Sequence, residues 1–265
     1  MRRSCFTLVE LLVVIATLAL LVAISLPSLQ NSRQQAKAVL CGSNVRQLTF
    51  GLFIYETQNL TLPYGFDNTP MNSPPGGYPG YIQYDRMGWW WFNFIEGFYN
   101  KSENKKTVVQ CPSKWLSNPK LQNNILCGNY GVNLSICKSS SGRESYNEFI
   151  GTPLSATDIP RRGETMLIAD SGYSIITWWH ATDVPPVALG NAIIEDTAYI
   201  PGLDINKKRN LWLGQEEDAI NGRHPNKTVN VGFVDGHVEK RKAESLFVEK
   251  TADSYRNKNP LWQPK

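Results

Sequence analysis

Residues 6–29 read FTLVELLVVIATLALLVAISLPSL, and the rest of the chain is organised around this segment. Positions 11–26 carry no charge, and only Thr17 and Ser25 among them are polar. With Phe6 and Leu8 included, the run reaches the roughly 20 residues that cross a hydrocarbon core as a helix. Arg2 and Arg3 precede it and nearly all of the chain follows it. Positive-inside asymmetry then predicts a short cytoplasmic stub and a large domain on the other side of the membrane. Glu10 is the exception in the run, because a carboxylate in lipid is costly and calls for a partner or a special purpose.

The heptapeptide Phe6-Thr7-Leu8-Val9-Glu10-Leu11-Leu12 resembles the prepilin-type processing motif of type IV pilins and type II secretion pseudopilins. The resemblance implies that a prepilin peptidase cuts between Cys5 and Phe6 and methylates the new amino terminus. It also implies that Glu10 serves assembly by meeting the charged amino terminus of a neighbouring subunit. A buried carboxylate is tolerable when paired in this way and costly when alone. Pro27 matches a proline common late in pilin transmembrane helices, whereas Cys5 stands where the family usually has glycine. A cleaved secretory signal would end in small residues, but here Ala23 and Ser25 lead into Leu26-Pro27 and a continuing helical pattern. A plain anchor explains the hydrophobicity and leaves FTLVE unexplained.

The expected organisation is a leader at 1–5, a transmembrane and assembly helix at 6–29, and an amphipathic helix plus a periplasmic or surface α+β domain at 30–265. That last part is long enough for one domain with a real core. A net charge of +4 is too small and too dispersed to argue for nucleic acid. The clusters Lys207-Lys208-Arg209 and Lys240-Arg241-Lys242 read as solvated turn or strand-edge charge. After Pro27, Leu29, Ala36, Val39, Leu40, Leu48, Leu52 and Tyr55 form a helical apolar stripe opposite Gln30, Arg33, Gln34, Lys37, Arg46 and Gln47. One helix from about residue 6 to 58 is predicted. A bend is expected at Cys41-Gly42-Ser43, because a helical glycine costs up to ~1 kcal/mol against alanine.

Cys5 belongs to the leader, which leaves Cys41, Cys111, Cys127 and Cys137 in an oxidising compartment. Four cysteines allow three connectivities. The preferred one joins Cys41 to Cys111, tying helix to domain, and Cys127 to Cys137, closing a short loop; free buried thiols are the other expectation. Zinc is disfavoured because no CxxC spacing occurs.

Proline and glycine crowd residues 63–87, which read as an irregular loop. Trp89-Trp90-Trp91-Phe92 follows, continuing to Phe94, Ile95, Phe98 and Tyr99. The favoured reading is a helix that turns rings into the core, and the rival is an aromatic platform that stacks on sugars. Residues 107–113 read as a short strand closed by Pro112, and 127–133 as a turn and strand entry. Residues 162–171 read as a buried strand, with 173–179 as its antiparallel neighbour.

Residues 228–234 are β-rich, and Asp235-Gly236 then leads into His237-Val238-Glu239 as a hairpin whose turn needs positive φ. This stretch resembles a C-terminal module of prepilin-processed proteins marked by a histidine, nine residues and Asp-Gly. Here ten residues separate His224 from Asp235-Gly236. Cys111-Pro112-Ser113, residues 130–133 and Ala169-Asp170-Ser171 look like the same family. His224, Asp235 and His237, with Asp170 or His180, offer ligand chemistry, but a turn aspartate is usually there for backbone geometry. No metal, cofactor or catalytic site is therefore expected, and no nucleotide or hydrolase fingerprint occurs.

The fold expected is α+β and pilin-like, a long helix packed on an antiparallel sheet. The function expected is a structural subunit of a type IV pilus or type II secretion filament, not an enzyme, with prepilin peptidase, like subunits and the inner membrane as partners. The alternative is a membrane-tethered binding module for polysaccharide that uses the aromatic loop at 78–99.

Overall fold

The computed structural model describes residues 7–74, 77, 87–98, 108–142, 144–186 and 198–264. Helix α1, Leu8–Asn59, is 52 residues long and contains Pro27. Thr7 caps its start, and Leu60 ends it in the left-handed conformation at φ 67°. The helix continues through Cys41-Gly42-Ser43 without interruption. Gly42 has a packing use: a Cβ there would lie 3.1 Å from the Asn230 side-chain oxygen.

Every residue of α1 from 8 to 37 is exposed, and Ala38 is the first to be buried. Ala38, Cys41, Val45, Leu48 and Leu52 then recur at spacings of three and four, the period of one helical face. This corrects the stripe expected from sequence. Leu48 and Leu52 belong to it, but Leu29, Ala36, Val39 and Leu40 face outward. One residue turns a helix by about 100°, so admitting Cys41 and Val45 to the face excludes their neighbours. Cysteine behaves here as a small apolar side chain.

Nine short strands follow: β1 (Phe66–Asp67), β2 (Trp89–Trp90), β3 (Tyr130–Asn133), β4 (Met166–Asp170), β5 (Ile175–Ile176), β6 (Thr228–Phe233), β7 (Val238–Lys242), β8 (Glu249–Lys250) and β9 (Tyr255–Arg256) are those among the described residues. The main sheet has the order β5-β3-β4-β6-β7. Its pairings are antiparallel except β3 with β5, which is parallel. The sheet is thus mixed, and residues 173–179 do not pair with β4 as expected. Both edges of β4 are already taken, by β3 and β6, so β5 adds beyond β3. Val108–Gln110 form a turn and not the expected strand, while Thr107 lies outside the described residues.

All five residues of β4 are buried, as a near-continuous apolar run in a central strand should be. Helix α1 packs over β4, β6 and β7. Gly232 in β6 allows the approach, since a Cβ there would stand 2.4 Å from Thr49 Oγ1. The tryptophan run enters the core as a two-residue strand and a one-turn helix, Trp91–Phe94. Trp90 and Trp91 are fully buried, and Trp91 Nε1 donates to the Ser174 carbonyl at 2.9 Å. Residues 78–86 and Tyr99 of the aromatic loop lie outside the described residues.

Candidate functional site

At the membrane end, Cys5 and Phe6 lie outside the described residues. Glu10 is placed by a reciprocal cap. Its carboxylate accepts from the Thr7 N–H and the Thr7 hydroxyl, each at 2.8 Å, while Thr7 Oγ1 accepts from the Glu10 N–H at 3.2 Å. The Thr-x-x-Glu spacing dictates this arrangement, in which two otherwise orphaned helix donors are satisfied together. The carboxylate is therefore held beside the first turn of α1.

A second constellation lies inside the head. Cys41 comes from the buried stripe of α1, Cys111 from the turn after residue 110, Asp170 from the end of β4, and His224 from the segment that enters β6. All four are buried, and one donor atom from each lies within 4.8 Å of the others. Asp170 Oδ2 accepts from the Asn230 N–H at 2.6 Å and from Asn230 Nδ2 at 3.0 Å. It also faces His224 Nε2 at 3.1 Å. Asp170 Oδ1 and His224 Nδ1 are buried with no hydrogen-bond partner among the described residues.

The surroundings hold these groups in place. The Cys111 N–H donates to Asn129 Oδ1 at 3.0 Å. Arg223, next to His224, is buried and forms an ion pair with Asp218 at 2.6 Å. Its guanidinium also donates to the carbonyls of Gly128, Asn129 and Ser171 at 2.8–2.9 Å. Asp218 accepts in addition from Tyr199 Oη at 2.8 Å. A buried pair with this many hydrogen bonds can offset its desolvation cost, and losing one partner would strand the other charge.

Burial opposes a charge on His224, yet the facing Asp170 carboxylate lifts the imidazole to about 9. Burial likewise opposes ionised Asp170, and the charge and hydrogen bond of His224 hold it below the ordinary carboxylate value. For Cys111, burial pushes the thiol well up.

The four described cysteines carry free thiols. Cys41 and Cys111 do meet, as the preferred pairing anticipated, but unbonded and in company with Asp170 and His224. Cys127 precedes β3 and Cys137 follows it, so the expected short-loop bridge would have to span the length of that strand.

Of the five groups weighed as ligands, His224 and Asp170 converge, and the other three stand apart from the cluster. Asp235 and His237 pair with each other in the hairpin turn, and His237 stacks on Phe233. His180 is buried with its Nδ1 accepting from the Thr177 N–H at 3.0 Å; burial and Arg209 lower its pKa. The hairpin itself forms between β6 and β7. Only Gly236 in its turn has positive φ, +94°, and Gly236 N–H donates to the Phe233 carbonyl. This is a three-residue loop closed by a left-handed glycine rather than the two-residue turn expected from Asp-Gly.

Sequence reasoning missed Cys41 and Cys111 as partners of Asp170 and His224. The one available signal was that Cys41 occupies the helical face later found buried. Comparisons of the chain with protein-family models, curated proteins and solved structures returned no match in any of the three.

Proposed function

We propose that the chain is a pilin-like or pseudopilin-like structural subunit. A prepilin peptidase cuts it before Phe6, the outer half of α1 holds it in the inner membrane, and the α+β head lies on the periplasmic or outer side. Bundling of these helices with those of like subunits then builds a type IV pilus or a secretion-type filament.

The observation that carries this reading is the division of α1 between an exposed apolar arm and a buried stripe on one continuous helix. At about 1.5 Å per residue the apolar part of the exposed arm, Leu8 to Leu29, extends about 33 Å, enough to cross the hydrocarbon core of about 30 Å. Such an arm needs lipid or the arms of neighbours to cover it. Glu10 supports the assembly step. Its carboxylate already sits at the helix start on Thr7 donors, and the ammonium of an adjacent processed chain would be a stronger partner there. The tethered polysaccharide binder has less support, because two rings of its aromatic platform, Trp90 and Trp91, are fully buried.

Mass spectrometry of the mature amino terminus, on protein recovered from native membranes or surface filaments, tests the proposal. An N-methylated Phe6 is the expected result. An intact Met1 would overturn it and leave a simple membrane tether. With processing established, Glu10→Gln is expected to abolish filaments while leaving the amount of membrane-held protein unchanged.

A further inference from the structure

We propose that Cys41, Cys111, Asp170 and His224 bind a divalent metal ion of the zinc class, forming a closed structural site that pins α1 to the head. Their donor atoms lie within 4.8 Å of one another although the residues come from four separate segments. A tetrahedron with metal–ligand bonds of about 2.0–2.3 Å has edges of about 3.3–3.8 Å. Closing the cluster onto an ion therefore asks for movements of about 1 Å or less.

The unsatisfied atoms point the same way. Asp170 Oδ1 and His224 Nδ1 are both buried without a hydrogen-bond partner among the described residues. A buried polar atom left in that state is normally expensive, which marks the carboxylate and imidazole as held for more than packing, and His224 Nε2 and Asp170 Oδ2 stand 3.1 Å apart, close to an edge of such a tetrahedron. An ion would take these facing atoms, with Asn230 securing the carboxylate through its N–H and its side-chain amide.

The donor set chooses the ion. Two sulfurs and an imidazole favour zinc-like metals over magnesium or calcium, which prefer oxygen. Complete burial fits a structural site, since a catalytic one keeps an open position. Binding would release to solvent the two thiol protons and any proton on the ligating imidazole nitrogen. A Cys41–Cys111 disulfide would use the same sulfurs and leave no thiolates for an ion. The site is independent of whether α1 enters a filament, since all four ligands belong to the head and the helix half packed on it.

The test uses the full chain in detergent, purified under reducing conditions without added metal. Elemental analysis is expected to find about one zinc per chain. After chelator treatment, Co2+ titration is expected to saturate near one equivalent, with the visible bands and sulfur-to-cobalt charge transfer of a tetrahedral thiolate site. Bound metal should also shield Cys41 and Cys111 from alkylation. Cys111→Ser is expected to abolish the charge-transfer band, and Cys137→Ser, outside the cluster, to retain it. If Cys111→Ser does not fold, the titration and alkylation pattern of the unaltered chain decide alone. The proposal is overturned by any of three results: no saturable Co2+ binding by the reduced chain, binding that survives intact in folded Cys111→Ser, or a Cys41–Cys111 disulfide in protein from native membranes.

Discussion

Along α1, residues 8–37 expose every side chain although most are apolar, whereas the stretch from Ala38 to Asn59 is more polar and buries Cys41, Val45, Leu48 and Leu52. Hydrophobicity alone would have placed the wrong half in the core. The difference teaches that burial depends on what the rest of the chain can cover. β4, β6 and β7 present a face to the inner half, and no described residue buries the outer half.

The largest expected effect compares the two halves directly. Leu48→Ala should destabilise the head by about 2–5 kcal/mol, read by urea unfolding of the full chain in detergent. Leu18→Ala, in the exposed arm, should change it by no more than about 0.5 kcal/mol. Equal losses would break the division. Next comes the contact that seats the inner half. Gly232→Ala should cost about 1–3 kcal/mol, because the new Cβ meets Thr49 Oγ1. Adding Thr49→Ala should recover part of that loss, and a double-mutant cycle measures the coupling.

A pH series sharpens the comparison further. Positions 11–32 hold no ionisable side chain, and Glu10, Arg33 and Lys37 are exposed, so the buried ionisable groups that couple unfolding to pH belong to the inner half and the head. There, burial lowers Lys114 from 10.5 to about 8, with Nζ donating to the Asn124 carbonyl at 2.7 Å. The unfolded chain holds that proton more tightly, so this lysine penalises folding fully below about pH 8. The penalty fades as pH rises from about 8 to 10.5, so the lysine's own contribution to stability rises over that window. Lys114→Met should flatten this rise, by about 1–3 kcal/mol across the window. The smallest effect is at the far end of the arm. Glu10→Gln loosens only the exposed Thr7 cap. Hydrogen exchange in the first turn should quicken while head unfolding stays unchanged.

Several elements were legible because their signals are local. The hairpin around Asp235-Gly236 formed between β6 and β7, and the apolar run before Asp170 became the central β4. The turn type was not legible, since one left-handed glycine after Asp235 serves where two positive-φ residues were expected. The helical stripe was placed on the wrong neighbours because Val39 and Leu40 look more apolar than Cys41, and composition does not say which face meets a sheet. The internal cluster was least legible. Its cysteines lack any close spacing, and motif reasoning looks for ligands near one another along the chain.

By itself the sequence determined the exposed apolar arm, the long helix and the existence of the hairpin. Each follows from residues within a few positions of one another, where helical period, side-chain reach and turn conformation act directly. Only the tertiary structure decided which face of α1 is buried, that β5 adds in parallel to β3, and that Cys41, Cys111, Asp170 and His224 meet. Those outcomes depend on which distant segments pair and how closely their backbones approach. A glycine in β6 and the occupied edges of β4 govern them, and neither is visible until the chain is folded.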